Sequence, residues 1–311
     1  MSRYSRSSGV ALITAMLVVA LSSIAAAAML VSAELAIQRA GTLQDSERAT
    51  WVAHGIESWV ASILEKDRRD NAIDSLDEDW ARPVDLLPVD YGNARGGVVD
   101  LQARFNLNHL GEREPEKYIK QFDRLVAALG IESAELPPGL PYLIRDWIDA
   151  NSEPSLPFGA EDSYYLGLKI PYRTANRRLA SVSELRAIQG ITPKLYRALA
   201  PHLAALNEIS AVNVNTASEP VLRSLAVTVD ESKLAAFIKK RLDAPADDVQ
   251  KLKTDGTFGE GFDATLAGVS SRNFQLRAEV FVGSSRVWLY SSIHRPDQGS
   301  PVVLSHSTDD N

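Results

Sequence analysis

The sequence predicts an α+β protein. A very long N-terminal helix lies on a small antiparallel sheet, and a large helical domain is inserted between the sheet's strands. Three observations carry this expectation. An uncharged run at residues 10–31 passes into an amphipathic pattern that reaches Lys66 without a proline. Two alternating segments, 274–282 and 286–293, meet at Gly283-Ser284-Ser285 near the C-terminus. Between these ends lie short apolar-periodic stretches punctuated by glycine and proline.

The N-terminal run holds 22 residues without a charge. At ~1.5 Å per residue it is roughly 33 Å long, enough to cross a ~30 Å hydrocarbon layer. Thr14, Ser22 and Ser23 are its only polar side chains, and their hydroxyls can bond back to helix carbonyls. Arg3 and Arg6 precede the run and Glu34 follows it, so the positive-inside bias places the N-terminus in the cytoplasm. A cleaved secretory signal is the alternative, with Ala25–Ala28 as its small-residue site, but its apolar core should be shorter. The pattern also continues past the lipid, through Leu35, Ile37, Leu43, Trp51, Val52, Ile56, Trp59, Val60, Ile63 and Leu64. One helix over 10–66 accounts for this, half in lipid and half on a folded body.

Residues 67–97 read as loop, with Pro83, Pro88, Gly92, Gly96 and Gly97. Residues 98–105 partly alternate and read as a strand. Residues 112–206 read as helical. Tyr118, Ile119, Phe122, Leu125, Val126 and Leu129 form one apolar face, ended by Gly130. Ser181-x-x-Glu184 is a capping-box pattern, and Pro193 suits a first helical turn. In the C-terminal hairpin Phe274, Leu276, Ala278, Val280 and Val282 share one face. The tail after Pro296 reads as frayed.

Composition narrows the function classes. A net charge of −7 argues against nucleic acid as the main partner. No cysteine is present, so no disulfide or thiolate chemistry is available. The five histidines form no H-x-H or H-x-x-x-H pair for zinc. No G-x-S-x-G, P-loop or G-x-G-x-x-G pattern occurs. Asp146 and Asp149, one helical turn apart, are the nearest thing to an acid–base pair, and nothing else in the sequence converges on them. Two stretches, 185–195 and 212–226 with 234–242, read as helix–hairpin–helix units. The second lacks the glycines that expose backbone amides to phosphate, so both read first as packed short helices. The richest polar segment is DWIDANSEPSLPFGAEDSYY followed by PYRTAN. Oxygen ligands at Asp149, Asn151 and Glu153, with Glu161, Asp162 and Asn176 beyond, suit a calcium loop. Pro154 and Ala160 stand where an EF-hand needs glycine and glutamate, so it is not that motif, and a solvated acidic loop is the other reading.

A short basic leader, Gly9, and an apolar helix continuing as an amphipathic one resemble the type IV pilins and type II secretion pseudopilins. The segments RFNLN-L (104–110), W-I-D (147–149), G-A-E-D-x-Y-Y (159–165) and P-Y-R-x-x-N (171–176) resemble the protein K family of minor pseudopilins. The resemblance implies cleavage between Gly9 and Val10 by a prepilin peptidase, methylation of Val10, and a pseudopilin fold with SAM-like helical units. At the fifth mature position the family's usual glutamate, which pairs with a neighbour's terminal amine, is replaced by Thr14. This departure fits a tip subunit with no neighbour above it, since an unpaired carboxylate in lipid is costly. The resemblance further implies calcium held by the helical domain, with Asp149, Asn151, Glu161, Asp162 and Asn176 as the ligand choice. It implies no catalysed reaction. Expected partners are the I- and J-type minor pseudopilins, the major pseudopilin, the bacterial inner membrane, and the secretin or a secreted cargo, with the body in the periplasm. The expected division is a leader at 1–9, a membrane helix at 10–31 and its continuation at 32–66. A body at 67–108 and 207–311 and an inserted helical domain at 109–206 complete it. A membrane-tethered DNA-uptake protein and an exported, anchored hydrolase are the rival readings.

Overall fold

A computed structural model of the chain describes residues 7–308, and side chains from Gly9 onward. Helix α1 runs from Ser7 to Asp70, 64 residues, or about 96 Å at ~1.5 Å per residue. Its N-terminal half projects free of the body, and every residue from Gly9 to Gln44 is exposed; partial burial against the body begins at Asp45. Thr14 Oγ1 donates to the carbonyls of Val10 (3.1 Å) and Ala11 (3.0 Å), and Ser23 Oγ to that of Val19 (2.9 Å), so these hydroxyls need no outside partner.

The second half of α1 lies on a five-stranded antiparallel meander. We number its strands β1 (Val84–Val89), β2 (Gly92–Asp100), β3 (Asn273–Val282), β4 (Ser285–His294) and β5 (Val302–Ser307). They are ordered in space as in sequence. The inward row of β3, from Phe274 to Val282, meets Ala49, Ala53, Val60 and Leu64 of the helix. The alanines let the two backbones approach closely, and the larger residues fill the space toward the helix end. The β3–β4 turn is tied to the helix as well. Gly283 has φ +53°, and a Cβ there would stand 2.2 Å from Asp45 Oδ2. That carboxylate accepts the Ser284 N–H at 3.1 Å.

Two expectations from sequence need correction here. The stretch expected as loop contains the edge strand β1, which carries Pro88; an edge strand tolerates a proline because one side of it needs no ladder donor. The tail after Pro296, expected to fray, returns as β5 on the opposite edge.

The insertion between β2 and β3 has its own core. It contains α2 (Glu116–Ala128), α3 (Leu140–Ile148), α4 (Asp162–Tyr165), α5 (Pro193–Leu199), α6 (Glu219–Arg223), α7 (Glu231–Lys240) and α8 (Val249–Thr254). Phe105, Phe122, Ile144, Leu185 and Leu199 are fully buried in this core, but so are Val214, Val221, Leu222 and Leu225. Residues 207–269, expected in the body, therefore belong to the helical domain. The sheet resumes only at Asn273. The two hairpin-like units are built from short elements. Residues 182–187 form a 3-10 turn, begun by the expected Ser181–Glu184 capping box, and α6 has five residues.

Two asparagine pairs organise this domain in the same way. Phe105-Asn106 pairs in parallel with Leu203-Ala204, and Val212-Asn213 with Ala267-Gly268. In each case the two asparagines that begin the segment are buried and satisfied. Asn108 Oδ1 accepts the Leu179 N–H (2.7 Å), and its Nδ2 donates to the carbonyls of Leu179 (2.9 Å) and Leu206 (3.1 Å). Asn215 likewise holds Ala246, accepting its N–H at 2.8 Å and donating to its carbonyl at 2.9 Å. A buried backbone group that loses its partner costs about 1–3 kcal/mol. Asn108→Ala strips both partners from Leu179, and we expect a loss of about 2–4 kcal/mol, read as a lower urea midpoint at unchanged m-value.

Candidate functional site

Two regions carry the candidate residues. The first is the free end of α1. It is long and apolar enough to cross a membrane, and its apolar window has no burial within the protein. Gly9, Val10 and Thr14 all lie in its first turns and all face outward. The exposed apolar surface does not end with the lipid-length segment. Leu35, Ile37, Leu43, Trp51 and Trp59 continue it along the helix outside the body.

The second region is the acidic loop between α3 and α4. It begins where α3 ends, at Asp149, whose extended backbone (ψ 162°) breaks the helix. Asp149 Oδ1 accepts from the Asn151 backbone (3.2 Å) and side chain (2.8 Å), and Asn151 Oδ1 accepts the Glu153 N–H at 2.7 Å. Each is a local Asx-type turn that winds the loop tightly. Both oxygens of the buried Asp146 accept the Ser155 N–H, at 3.2 and 3.0 Å. Gly159 is required beside it, since a Cβ there would stand 2.0 Å from Asp146 Oδ2.

Glu161 is the centre of this arrangement. Its side chain is buried; Oε2 accepts from Thr174 Oγ1 at 3.3 Å, and Oε1 is buried with no hydrogen-bond partner. Burial, and next the charge of Asp146, push its pKa from 4.5 up to about 7, with Asp149 adding to the effect. Asp146 and Asp149 are themselves raised, chiefly by burial. Asn176 is held over the same region by its N–H bond to the Trp147 carbonyl (3.1 Å). Its backbone is left-handed, φ +43°, and its Oδ1 is a second buried acceptor without a donor. Asp162 is engaged elsewhere: Oδ1 accepts from the Thr174 N–H and hydroxyl at 3.0 Å, and Oδ2 faces Arg173 at 3.5 Å. Asp146 and Asp149 thus lie near enough to Glu161 for their charges to raise its pKa, and Asn176 is tied to the end of α3. Asn151 and Asp162 take part in the hydrogen bonds that wind this segment. Asp146 was not among the expected ligands. Sequence reading noted its i, i+3 spacing to Asp149 only as the nearest thing to an acid–base pair, on which nothing else converged.

The hydrolase reading asks for a nucleophile beside a base. His202 Nδ1 and Ser218 Oγ lie 3.1 Å apart, but Ser218 sits at the N-cap of α6. Among the described residues no carboxylate bonds the other imidazole nitrogen, so two members of a triad stand without the third.

Comparison with known proteins decides the family. Residues 103–208 match the family model for type II secretion system (T2SS) protein K. The type II secretion system protein K of Pseudomonas aeruginosa is 35% identical over 309 residues, covering 96% of this chain and 91% of the relative. The chain belongs to the type II secretion system protein K family. A second protein K, from Aeromonas hydrophila, is 33% identical with 96% of both chains covered. A chain in the crystal structure of the GspK-GspI-GspJ complex from the enterotoxigenic Escherichia coli type 2 secretion system superposes with a TM-score of 0.71. It is 25% identical and covers 88% of this chain and all of its own length. Membership in the protein K family makes the chain a minor pseudopilin of type II secretion, a structural component of protein transport. The long apolar helix fits membrane anchoring of that component.

Proposed function

We propose that this minor pseudopilin works by assembly at the tip of the pseudopilus, with no catalysed reaction of its own. Its α1 start is anchored in the inner membrane, N-terminus cytoplasmic and body periplasmic, after removal of residues 1–9. The observation that carries this reading is the single helix α1. Its first half offers a lipid-length apolar surface, and its second half is cemented to the sheet by Ala49, Ala53, Val60 and Leu64. A discarded signal would not be built as the continuation of a core helix. The exposed apolar residues from Leu35 to Trp59 supply area for lateral packing against neighbouring helices. The solved relative's complex with GspI and GspJ supports I- and J-type minor pseudopilins as the neighbours. At Thr14 the hydroxyl is spent within the helix, so the position leaves no charge in lipid that a subunit above must neutralise. The bulk of the insertion, projecting from between β2 and β3, favours an end position over a place in a shaft.

We further infer that the acidic loop between α3 and α4 holds calcium. The residues fit such an ion. Asp146, Asp149, Glu161 and the Asn176 amide are hard oxygen donors, and Glu161 Oε1 and Asn176 Oδ1 are buried acceptors with no donor. A bound cation supplies the positive charge that lets three neighbouring carboxylates ionise together. The chain's own contribution is to wind the loop through Asn151 and Ser155 and to orient Glu161 through Thr174.

The N-terminal mass of the protein extracted from membranes tests the processing step. We expect a chain that starts at Val10 and carries one added methyl group. A start near Ala28, or an intact Met1, overturns the pseudopilin route.

A further inference from the structure

We propose that His54, Glu57 and His306 form a zinc site that clamps the last strand of the sheet to α1. The three residues lie apart from the helical domain and from the apolar end of α1. His54 and Glu57 are one helical turn apart on α1, on the face that meets the sheet. His306 comes from β5, 249 residues away from Glu57. Its register partner on β4 is Ser291, and both point toward the helix.

The ligand atoms of all three side chains lie within 4.8 Å of one another. His306 Nε2 is 2.7 Å from Glu57 Oε2, and His54 Nδ1 is 3.8 Å from Glu57 Oε1. The two imidazoles meet edge to face, centroids 5.2 Å apart. Tetrahedral zinc with bonds of ~2.0–2.1 Å spaces its ligands about 3.3 Å apart. The set is therefore close to that spacing already, and small rotations of two half-exposed rings complete it. Two imidazoles with one carboxylate select zinc over the hard cations that the acidic loop suits. Glu57 is buried, and Ser291 Oγ donates to its Oε2 at 2.5 Å, the outer support that fixes a ligating carboxylate. The imidazole side chains are 43% and 46% exposed, which leaves one side open for water as the fourth ligand.

The consequence is mechanical. β5 is an edge strand, paired on one side only, with a break in register between Ser292 and Ile293 of its partner. An ion shared by His306 and two residues of α1 ties this loosely paired strand to the element that runs into the membrane. A plain His306–Glu57 ion pair would do part of the same work, but it has no use for His54.

The test uses the full chain in detergent micelles, stripped with a chelator and titrated with Zn²⁺ against a chromophoric competitor in excess Ca²⁺. We expect one saturable equivalent of zinc and a raised Tm of the bound form. His54→Ala and His306→Ala should each weaken binding at least about tenfold, the minimum that loss of even a supporting group produces at a zinc site. Glu161→Gln should leave zinc binding unchanged. Co²⁺ on the unaltered chain should give the intense visible bands of a four- or five-coordinate site, a readout that does not depend on any variant folding. Zinc binding that survives His54→Ala undiminished, or a weak six-coordinate cobalt spectrum, overturns the proposal.

Discussion

Arg295→Met should destabilise the protein by about 3–5 kcal/mol, the cost of leaving a buried carboxylate without its cation. Arg295 and Asp74 are both almost wholly buried, and their ion pair closes at 2.5 and 2.7 Å through one guanidinium nitrogen. The same side chain donates to Asp67 Oδ2 (2.6 Å) near the end of α1 and to the Ser271 carbonyl (2.7 Å) just before β3. It also lies over the Phe274 ring, 4.8 Å from the centroid. Asp67 shows the stress on this cluster. Burial raises its pKa, and the hydrogen bond from Arg295 is the main force pulling it back. Beside it, Asn213 donates to the Asp74 carbonyl, to Asp100 Oδ2 and to Ser271 Oγ, at 3.0, 3.1 and 3.0 Å. This is the joint where the chain leaves the sheet after β2 and returns to it before β3. Loss of Arg295 should therefore loosen both domains together. Thermal melts of Arg295→Met, Asp74→Asn and the double variant form the measurement. The double variant should recover at least half of the loss, because it removes the orphaned charge. A single variant within about 1 kcal/mol of the parent would mean that water already screens this pair.

Much of this architecture was legible in the sequence, and the misses share a cause. The period-2 row from Phe274 to Val282 and the 3.6-period face of α2 buried the residues that their spacing marked, except Leu129, which caps the helix half-buried. Each of those signals is local. The domain boundary failed because apolar density at Val212, Val214, Val221 and Leu222 says only that these residues are inside some core. Which core was settled by pairings with residues 246 and 267–268, too far along the chain for any window. β5 was missed because Val302, Val303 and Leu304 are consecutive and Ser305, His306 and Ser307 are polar, so no alternation marks the strand. The His54–Glu57–His306 cluster was hidden as well, since two of its residues sit on α1 and the third on the last strand. The acidic loop was found because its oxygens are close in sequence. The hydrogen bonds from Ser155 to Asp146 and from Thr174 to Asp162 were not legible, because neither donor belongs to a ligand pattern.

Calcium should protect the helical domain, and Glu161 should make that protection depend on pH. Without the ion, the folded protein holds a carboxyl whose pKa burial and Asp146 have raised from 4.5 to about 7. Between those values the folded state binds more protons at this site than the unfolded one. Stability from this group therefore falls as pH rises from 4.5 to about 7, and levels off above. Calcium acts in the opposite sense. It binds the ionised carboxylates, so protons compete with it, and its affinity rises with pH until Glu161 is fully ionised. At a calcium concentration a hundred times Kd, binding adds about 2.7 kcal/mol, and for a domain of roughly 150–250 residues each kcal/mol moves Tm by about 2–4 °C. We expect an increment on the order of 5–10 °C at pH 8, measured on the full chain with and without calcium. At pH 6 and the same calcium concentration the increment should shrink, while the calcium-free protein melts higher than it does at pH 8. Glu161→Gln removes the titrating group and one anionic ligand together. It should abolish most of the calcium increment and reduce this pH response, the remainder coming from groups such as Glu78 and Asp100, which burial raises to about 7 and about 6, while melting in chelator at pH 8 at or above the parent. A calcium increment of the same size in Glu161→Gln and the parent would show that the ion, if bound, is held elsewhere. The orphaned Oε1 of Glu161 would then need another donor. Asn176→Ala separates the two cases, because it removes the second orphaned acceptor without altering any charge.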